Sequence, residues 1–282
     1  LGFMENDGEN FSFYGYWKVY HNEQMERFFD IEPYRTYRDY FNVSTAIAVS
    51  QESGIGTVNT IRRTKFETTF AGGVGLRGDY SAIFDYAMKV SSVDESNLNQ
   101  SLIIVTPNTI DYGGITEMWE DGSAIAFCPL SEDTYPYDAR GIIQHEAGGH
   151  GFGKLGDEYI YHNGFIEFCC PLDFATLNYG KSLGWYENLS LTGKMHEVPW
   201  SHLIFDDRYS DVVDIYEGGF KHARGVFRSE QNSCMNNNIS YFSAISREAI
   251  VKRIMEYAGE SYSCEKFVEN DKRDAAGVSG QA

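Results

Sequence analysis

Basic residues are scarce in this chain: 23 lysines and arginines stand against 41 aspartates and glutamates over 282 residues, a net charge of −18. A nucleic-acid groove or an anionic membrane surface needs the opposite balance, and the few basic clusters, such as Arg62-Arg63-Thr64-Lys65, are short. Long apolar runs are also missing, so no segment approaches the ~20 residues of a transmembrane helix. The five cysteines (Cys128, Cys169, Cys170, Cys234 and Cys264) contain no C-x-x-C pair, which excludes a zinc ribbon and allows at most two disulfides. Internal repeats and low-complexity blocks are absent. The acid-rich stretches Glu117 to Asp121 and Asp206-Asp207 lack the spacing of an EF-hand loop, so nothing in them supports a calcium ion. The chain begins at Leu1 without a methionine, which suggests a trimmed piece of a longer precursor whose signal region is gone.

What is present reads as an α/β (α+β) chain long enough to bury a sizeable core. The spacing of Met25, Phe28, Phe29 and Tyr34 predicts a helix between Asn22 and Tyr40 interrupted at Pro33, followed by a strand over Asn42 to Ser50. A glycine-rich stretch, Ala71 to Gly78, precedes a helix near Asp79 to Val90. Its Gly73-Val74-Gly75-Leu76-Arg77-Gly78 matches G-x-G-x-x-G, but Thr64 to Phe70 is too polar for the buried first strand of a dinucleotide fold, so a turn before a helix is the better reading. Ser101 to Thr106 predicts a buried strand ended by Pro107, and Asp111 to Asp121 a loop. The apolar segment from Gly122 to Cys128 reads as an edge strand. Pro136 then opens a helix carrying Ile142, Ile143 and the motif below. Further helices are expected at Phe174 to Leu183 and, capped by Ser246, at Ser246 to Tyr257, with a frayed tail over 269–282. We read the whole, 1–282, as one domain with a lobe at 1–156 and a second at 157–268.

Residues 145–150 read His-Glu-Ala-Gly-Gly-His, the zinc-hydrolase pattern H-E-x-x-H with one extra residue between the histidines. In a regular α-helix a separation of five leaves the two imidazoles about 140° apart, too far to share one ion. A π-type turn absorbs one residue and restores a common face, and Gly148 and Gly149 sit where it must form. The spacing therefore predicts a π-turn at Ala147 to Gly149. Downstream, Gly153 can turn the chain so that Asp157 or Glu158 supplies a third ligand, leaving an open position for water. Asp157 is favoured, because a ligating carboxylate usually needs a partner that its neighbour can help to provide. Without a metal, the same histidines would be satisfied core residues on a structural helix.

These residues resemble a known family. His145-Glu146, Gly149-His150-Gly151-Phe152, Leu155 and Asp157-Glu158-Tyr159 look like the IgA-peptidase-type zinc endopeptidases of bacteria, relatives of the metzincins. The likeness extends to Pro33-Tyr34 with Tyr37, to Tyr40-Phe41-Asn42-Val43, to Asp111-Tyr112-Gly113-Gly114 before the family's edge strand, and to Glu217-Gly218, Gly225, Phe227-Arg228 and Ser233-Cys234-Met235. It implies a zincin catalytic domain with one catalytic zinc bound by His145, His150 and Asp157, with Glu146 as general base and Met235 in a turn beneath the metal. The family's usual motif has one residue fewer between its histidines, and its strand that would end near Leu1-Gly2 is largely absent here.

The resulting expectation is a secreted or cell-envelope bacterial endopeptidase acting on peptide or protein substrates. An extended substrate would pair with the edge formed by Gly122, Ser123, Ala124, Ile125 and Ala126. Tyr159, His222 and Arg228 are candidates to contact the oxyanion, although each taken alone reads equally as a packing side chain or a solvated charge. The competing expectation is a zincin scaffold disabled by the inserted glycine and used for binding or adhesion. Neither the substrate nor the oligomeric state is legible in these residues.

Overall fold

The structure is a computed structural model and describes residues 23–46 and 48–274; the region around Leu1-Gly2, Ile47 and residues 275–282 lie outside them. The chain divides into two compact units, each mixing helices with a small sheet, an α+β fold. Among the described residues, the first holds 23–30 together with Phe41–Phe152, the second Ile31–Tyr40 together with 153–274. The division falls at Phe152/Gly153 rather than at the expected 156/157. Among the described residues no helix is long and apolar enough to cross a membrane.

In the first unit, helix covers residues 23–29 (α1). Residues 42–46 and 48–50, expected as a strand, join no ladder; Ala48 is buried in the core of this unit, while Val43 and Val49 are exposed. The glycine-rich stretch is the turn of a short antiparallel hairpin, β1 (Thr69–Phe70) with β2 (Leu76–Arg77). It is not a strand-to-helix phosphate loop. Helix α2 (Tyr80–Ala87) starts where Asp79 accepts a hydrogen bond from the Ala82 N–H at 3.0 Å.

Three strands form the sheet beside the motif, in the order β3 (Leu102–Val105), β5 (Ala124–Phe127), β4 (Ile115–Met118). β5 runs parallel to β3 and antiparallel to β4. This corrects the edge-strand expectation: residues 124 to 126 lie in the central strand, buried on both faces, with no free backbone for a substrate. The unbroken apolar run Ala-Ile-Ala-Phe is what a two-sided strand requires. Among the described residues the edges are β3 and β4, and β4 lies inside the stretch expected to be a loop. Ile83, Val105, Ile125 and Phe127 anchor the core of this unit.

Helix α3 (Ala139–Ile143) begins three residues after Pro136, because Asp138 is its cap: the Asp138 side chain accepts from the Gly141 N–H at 3.0 Å. α3 passes directly into a π-helix, Gln144–Phe152.

The second unit is built on β9 (Lys221–Arg228), which pairs in parallel with β6 (Ile160–Phe165) and antiparallel with β7 (Leu189–Ser190) and β8 (Tyr216–Gly219). Two helices follow β6, α4 (Ile166–Cys169) and α5 (Pro171–Ser182). α6 (Ser201–Ile204) and α7 (Cys234–Asn237) are single turns. The core packs Trp200, Leu203, Tyr209 and Val213 against Ile245 and Val251 of α8 (Ala244–Ala258) and Phe267 of α9 (Cys264–Asn270). Each large apolar side chain buried there contributes about 1.5–3 kcal/mol. α8 is preceded by Ser243 rather than Ser246, which lies one turn inside the helix. The tail is held as far as Asp274: Arg247 forms a bidentate pair with Asp271 at 2.8 and 2.6 Å, and Asp274 accepts from the Glu32 N–H and from Arg35.

Candidate metal centre

The π-helix is anchored at its start, where the Gln144 amide donates to the Arg27 carbonyl at 2.8 Å, and at its end, where Phe152 packs on Phe41 with ring centroids 5.0 Å apart. Its hydrogen bonds run i→i+5, so residues five apart share a face. Nine residues adopt this conformation, three times the Ala147 to Gly149 span that the spacing predicts. The Nε2 atoms of His145 and His150 consequently lie 3.1 Å apart, with the rings at 77° to one another. Two nitrogens each bound at about 2.0–2.1 Å to one tetrahedral zinc are about 3.3 Å apart, so this pair fits a shared ion. Gly151 lets the helix lie against β3, since a Cβ there would stand 2.5 Å from Leu102 Cδ1.

Glu146, partly exposed on the same helix, is held by the edge strand. Thr116 Oγ1 of β4 lies 3.0 Å from Glu146 Oε2 and 2.8 Å from the Glu146 carbonyl. Gly114 leaves the space that the carboxylate occupies: a Cβ there would come within 2.9 Å of Glu146 Cγ and 3.1 Å of Oε1. Thr116 did not emerge from the sequence, because no local motif marks a strand residue that serves a helix thirty positions away; Gly114 stands in the Asp111-Tyr112-Gly113-Gly114 likeness, which assigned it no role. Cys128 stays a neutral thiol, pushed well up by burial and then by the Glu146 charge.

The remaining candidates belong to the second unit. Turning of the chain after the π-helix falls on Lys154, a buried residue at φ 52°, and not on Gly153. Asp157 is buried; its carboxylate is 3.6 Å from Lys221 Nζ, and its carbonyl accepts from the Phe220 N–H at 2.7 Å. Glu158 is fully buried and engages both carboxylate oxygens, accepting from Asn188 Nδ2 at 2.8 Å and Ser233 Oγ at 2.5 Å. Burial pushes its carboxyl up to about 7 against those two hydrogen bonds, which favour the charged form. Both Glu158 oxygens already accept hydrogen bonds, so this side chain braces the segment that carries Asp157. Its N–H donates to the Met235 carbonyl at 2.8 Å, and the Met235 side chain is fully buried in α7.

Arg228 donates to the carbonyls of Gly218 and Glu217 at 2.8 and 3.3 Å, and burial lowers its pKa. His222 is fully buried between Asp173 and Cys169. Both side chains are therefore spoken for within the β9 sheet and its helices. Tyr159 packs on Tyr161, with ring centroids 4.8 Å apart.

A model of the family described as IgA Peptidase M64 matches residues 16–172, more than half of the chain. No curated protein matches it.

Proposed function

We propose that this chain, which belongs to the IgA peptidase M64 family of metallopeptidases, is a zinc-dependent endopeptidase of the zincin type that cleaves extracellular proteins from a secreted or envelope position in a bacterium. The observation that carries this reading is the 3.1 Å approach of the His145 and His150 Nε2 atoms across a π-helix that also presents Glu146. His145, His150 and Asp157 would hold the ion, Asp157 following the last helical residue by five positions. Its neighbour Lys221, with Nζ 3.6 Å from the carboxylate, helps to orient it. When bound, zinc supplies Lewis-acid polarisation of the scissile carbonyl and acidifies water near neutral pH.

Glu146 accepts the proton of the attacking water and delivers it to the leaving amine. Thr116 shares its one hydroxyl proton between the Glu146 carbonyl and carboxylate and so steadies that carboxylate beside the edge strand. Among the described residues β4 pairs only with β5, and its other side is a template on which an extended peptide could add as a strand, bringing its backbone past Glu146. Glu146→Gln should keep its zinc, measured by elemental analysis, and lose cleavage of a peptide library read by mass spectrometry. Absence of stoichiometric zinc from the wild-type chain, or no cleavage across the library, would overturn the proposal.

A further inference from the structure

Outside the H-E-A-G-G-H segment, the second unit gathers a different set of ligand atoms. Cys169-Cys170-Pro171 ends one helix and begins the next: proline fits the first position of α5 and disfavours helix at the residue before it. Cys170 accordingly takes φ −143°, ψ 71°, and α4 stops at Cys169. Neighbouring side chains in a continuous helix would diverge by about 100°. At this break the two sulfurs lie 3.4 Å apart.

β9 brings His222 against them, with Nδ1 3.5 Å from Cys169 Sγ. All three ligand atoms, two sulfurs and one imidazole nitrogen, fall within 4.8 Å of one another. The far side of the ring is tied down, because His222 Nε2 is 2.9 Å from the Asp173 carboxylate in the first turn of α5. A carboxylate accepts and does not donate, so in the neutral ring the proton sits on Nε2 and the Nδ1 lone pair faces the sulfurs. That carboxylate–histidine pairing is the outer-shell arrangement that orients a metal-binding imidazole.

Two thiolates bound at about 2.3 Å to a tetrahedral zinc stand about 3.8 Å apart, and a thiolate and an imidazole nitrogen about 3.6 Å apart. The observed 3.4 and 3.5 Å are close to both, whereas a disulfide would need about 2.05 Å. We propose that Cys169, Cys170 and His222 form a second zinc site, thiolate-rich and additional to the peptidase motif, which clamps the α4–α5 junction to β9. Two sulfurs and an imidazole select a thiophilic ion over calcium or magnesium. The exposed Cys169 gives the ion a way in and leaves a fourth position to solvent. Binding is not a redox step: one Zn2+ displaces the two thiol protons, which pass to water, and two Zn–S bonds form.

The test uses the reduced full-length chain. Alkylation with iodoacetamide, mapped by peptide mass spectrometry, should slow at least ten-fold at Cys169 and Cys170 when Zn2+ is added, and should not slow at Cys264. In a His145→Ala/His150→Ala background, one equivalent of zinc should remain bound. Co2+ in its place should give a sulfur-to-metal charge-transfer absorption that disappears with Cys169→Ser/Cys170→Ser and with His222→Gln but persists with Cys264→Ser. Equal alkylation rates with and without Zn2+ would overturn the site. So would a thiolate–cobalt band that survives loss of both cysteines, or zinc protection confined to Cys264. The alkylation arm needs no variant, so it stands even if the serine pair fails to fold.

Discussion

The N–H of Glu158 donates to the carbonyl of Met235 at 2.8 Å, while the Glu158 carboxyl accepts from Ser233 two positions before that methionine. One residue thereby ties the segment that carries Asp157 to the α7 turn by both its backbone and its side chain. The carboxyl that does this is buried and lies near a pKa of 7.

Stability of the metal-free chain should depend on that carboxyl. Its folded pKa of about 7 lies above the ordinary glutamate value of 4.5, so the native state binds more protons between the two values. Unfolding free energy should fall as pH rises from 4.5 to 7 and level off above, by an amount on the order of 3 kcal/mol. Glu158→Gln should flatten this slope in urea titrations at a series of pH values. An unchanged slope would mean that another group is responsible.

Thr116→Val removes the hydroxyl beside Glu146 while keeping the branched shape on β4. Loss of one hydrogen bond to a charged group is worth about 1.5–3 kcal/mol, so kcat should drop roughly ten- to a hundred-fold with zinc content and melting temperature little changed. A loss in KM alone would point to substrate binding instead.

Gly114→Ala should act on the same carboxylate by crowding it, since the new methyl group would lie 2.9 Å from Glu146 Cγ. The expected outcome is a larger fall in kcat than in stability. A fully active alanine variant would show that Glu146 does not work from this rotamer.

Deleting Gly149 restores the ordinary four-residue spacing of the histidines, yet the π-helix is set for five. Zinc affinity and kcat/KM should both fall at least ten-fold, measured by competition with a chromogenic chelator and by peptide hydrolysis. An equally active deletion variant would remove the argument for the widened helix.

Asp271→Asn leaves the buried Arg247 guanidinium without its bidentate partner. Breaking such a pair costs about 3–5 kcal/mol, and thermal unfolding should report a clear drop in Tm. A neutral result would mean that the last helix and its tail do not dock as described.

Much of the local structure could be read from the sequence. Asp79 and the 80–87 helix, the 102–105 strand, and above all the widened motif helix follow from neighbours within a few positions. The errors share a cause. From sequence β5 reads as an edge and β4 as a loop, because strand order depends on which segments pair, and pairing is not encoded within either strand. The segment leading into β4 does carry the Asp111-Tyr112-Gly113-Gly114 likeness to the family's loop before its edge strand, so the signal was present one strand earlier than it was placed. His222, one of the oxyanion candidates, is carried by β9 into the interior, between Asp173 and Cys169.

By itself the sequence determined that His145 and His150 can meet only through a π-type turn, because their spacing on one helix is a local geometric constraint that no distant contact can relax. Only tertiary structure decided which strand offers a free edge, which carboxylate of the Asp157-Glu158 pair is already occupied, and that Thr116 steadies Glu146. Those outcomes rest on hydrogen bonds and packing between segments 30 to 75 residues apart. Their partners are chosen by the fold, and the residues alone do not announce them.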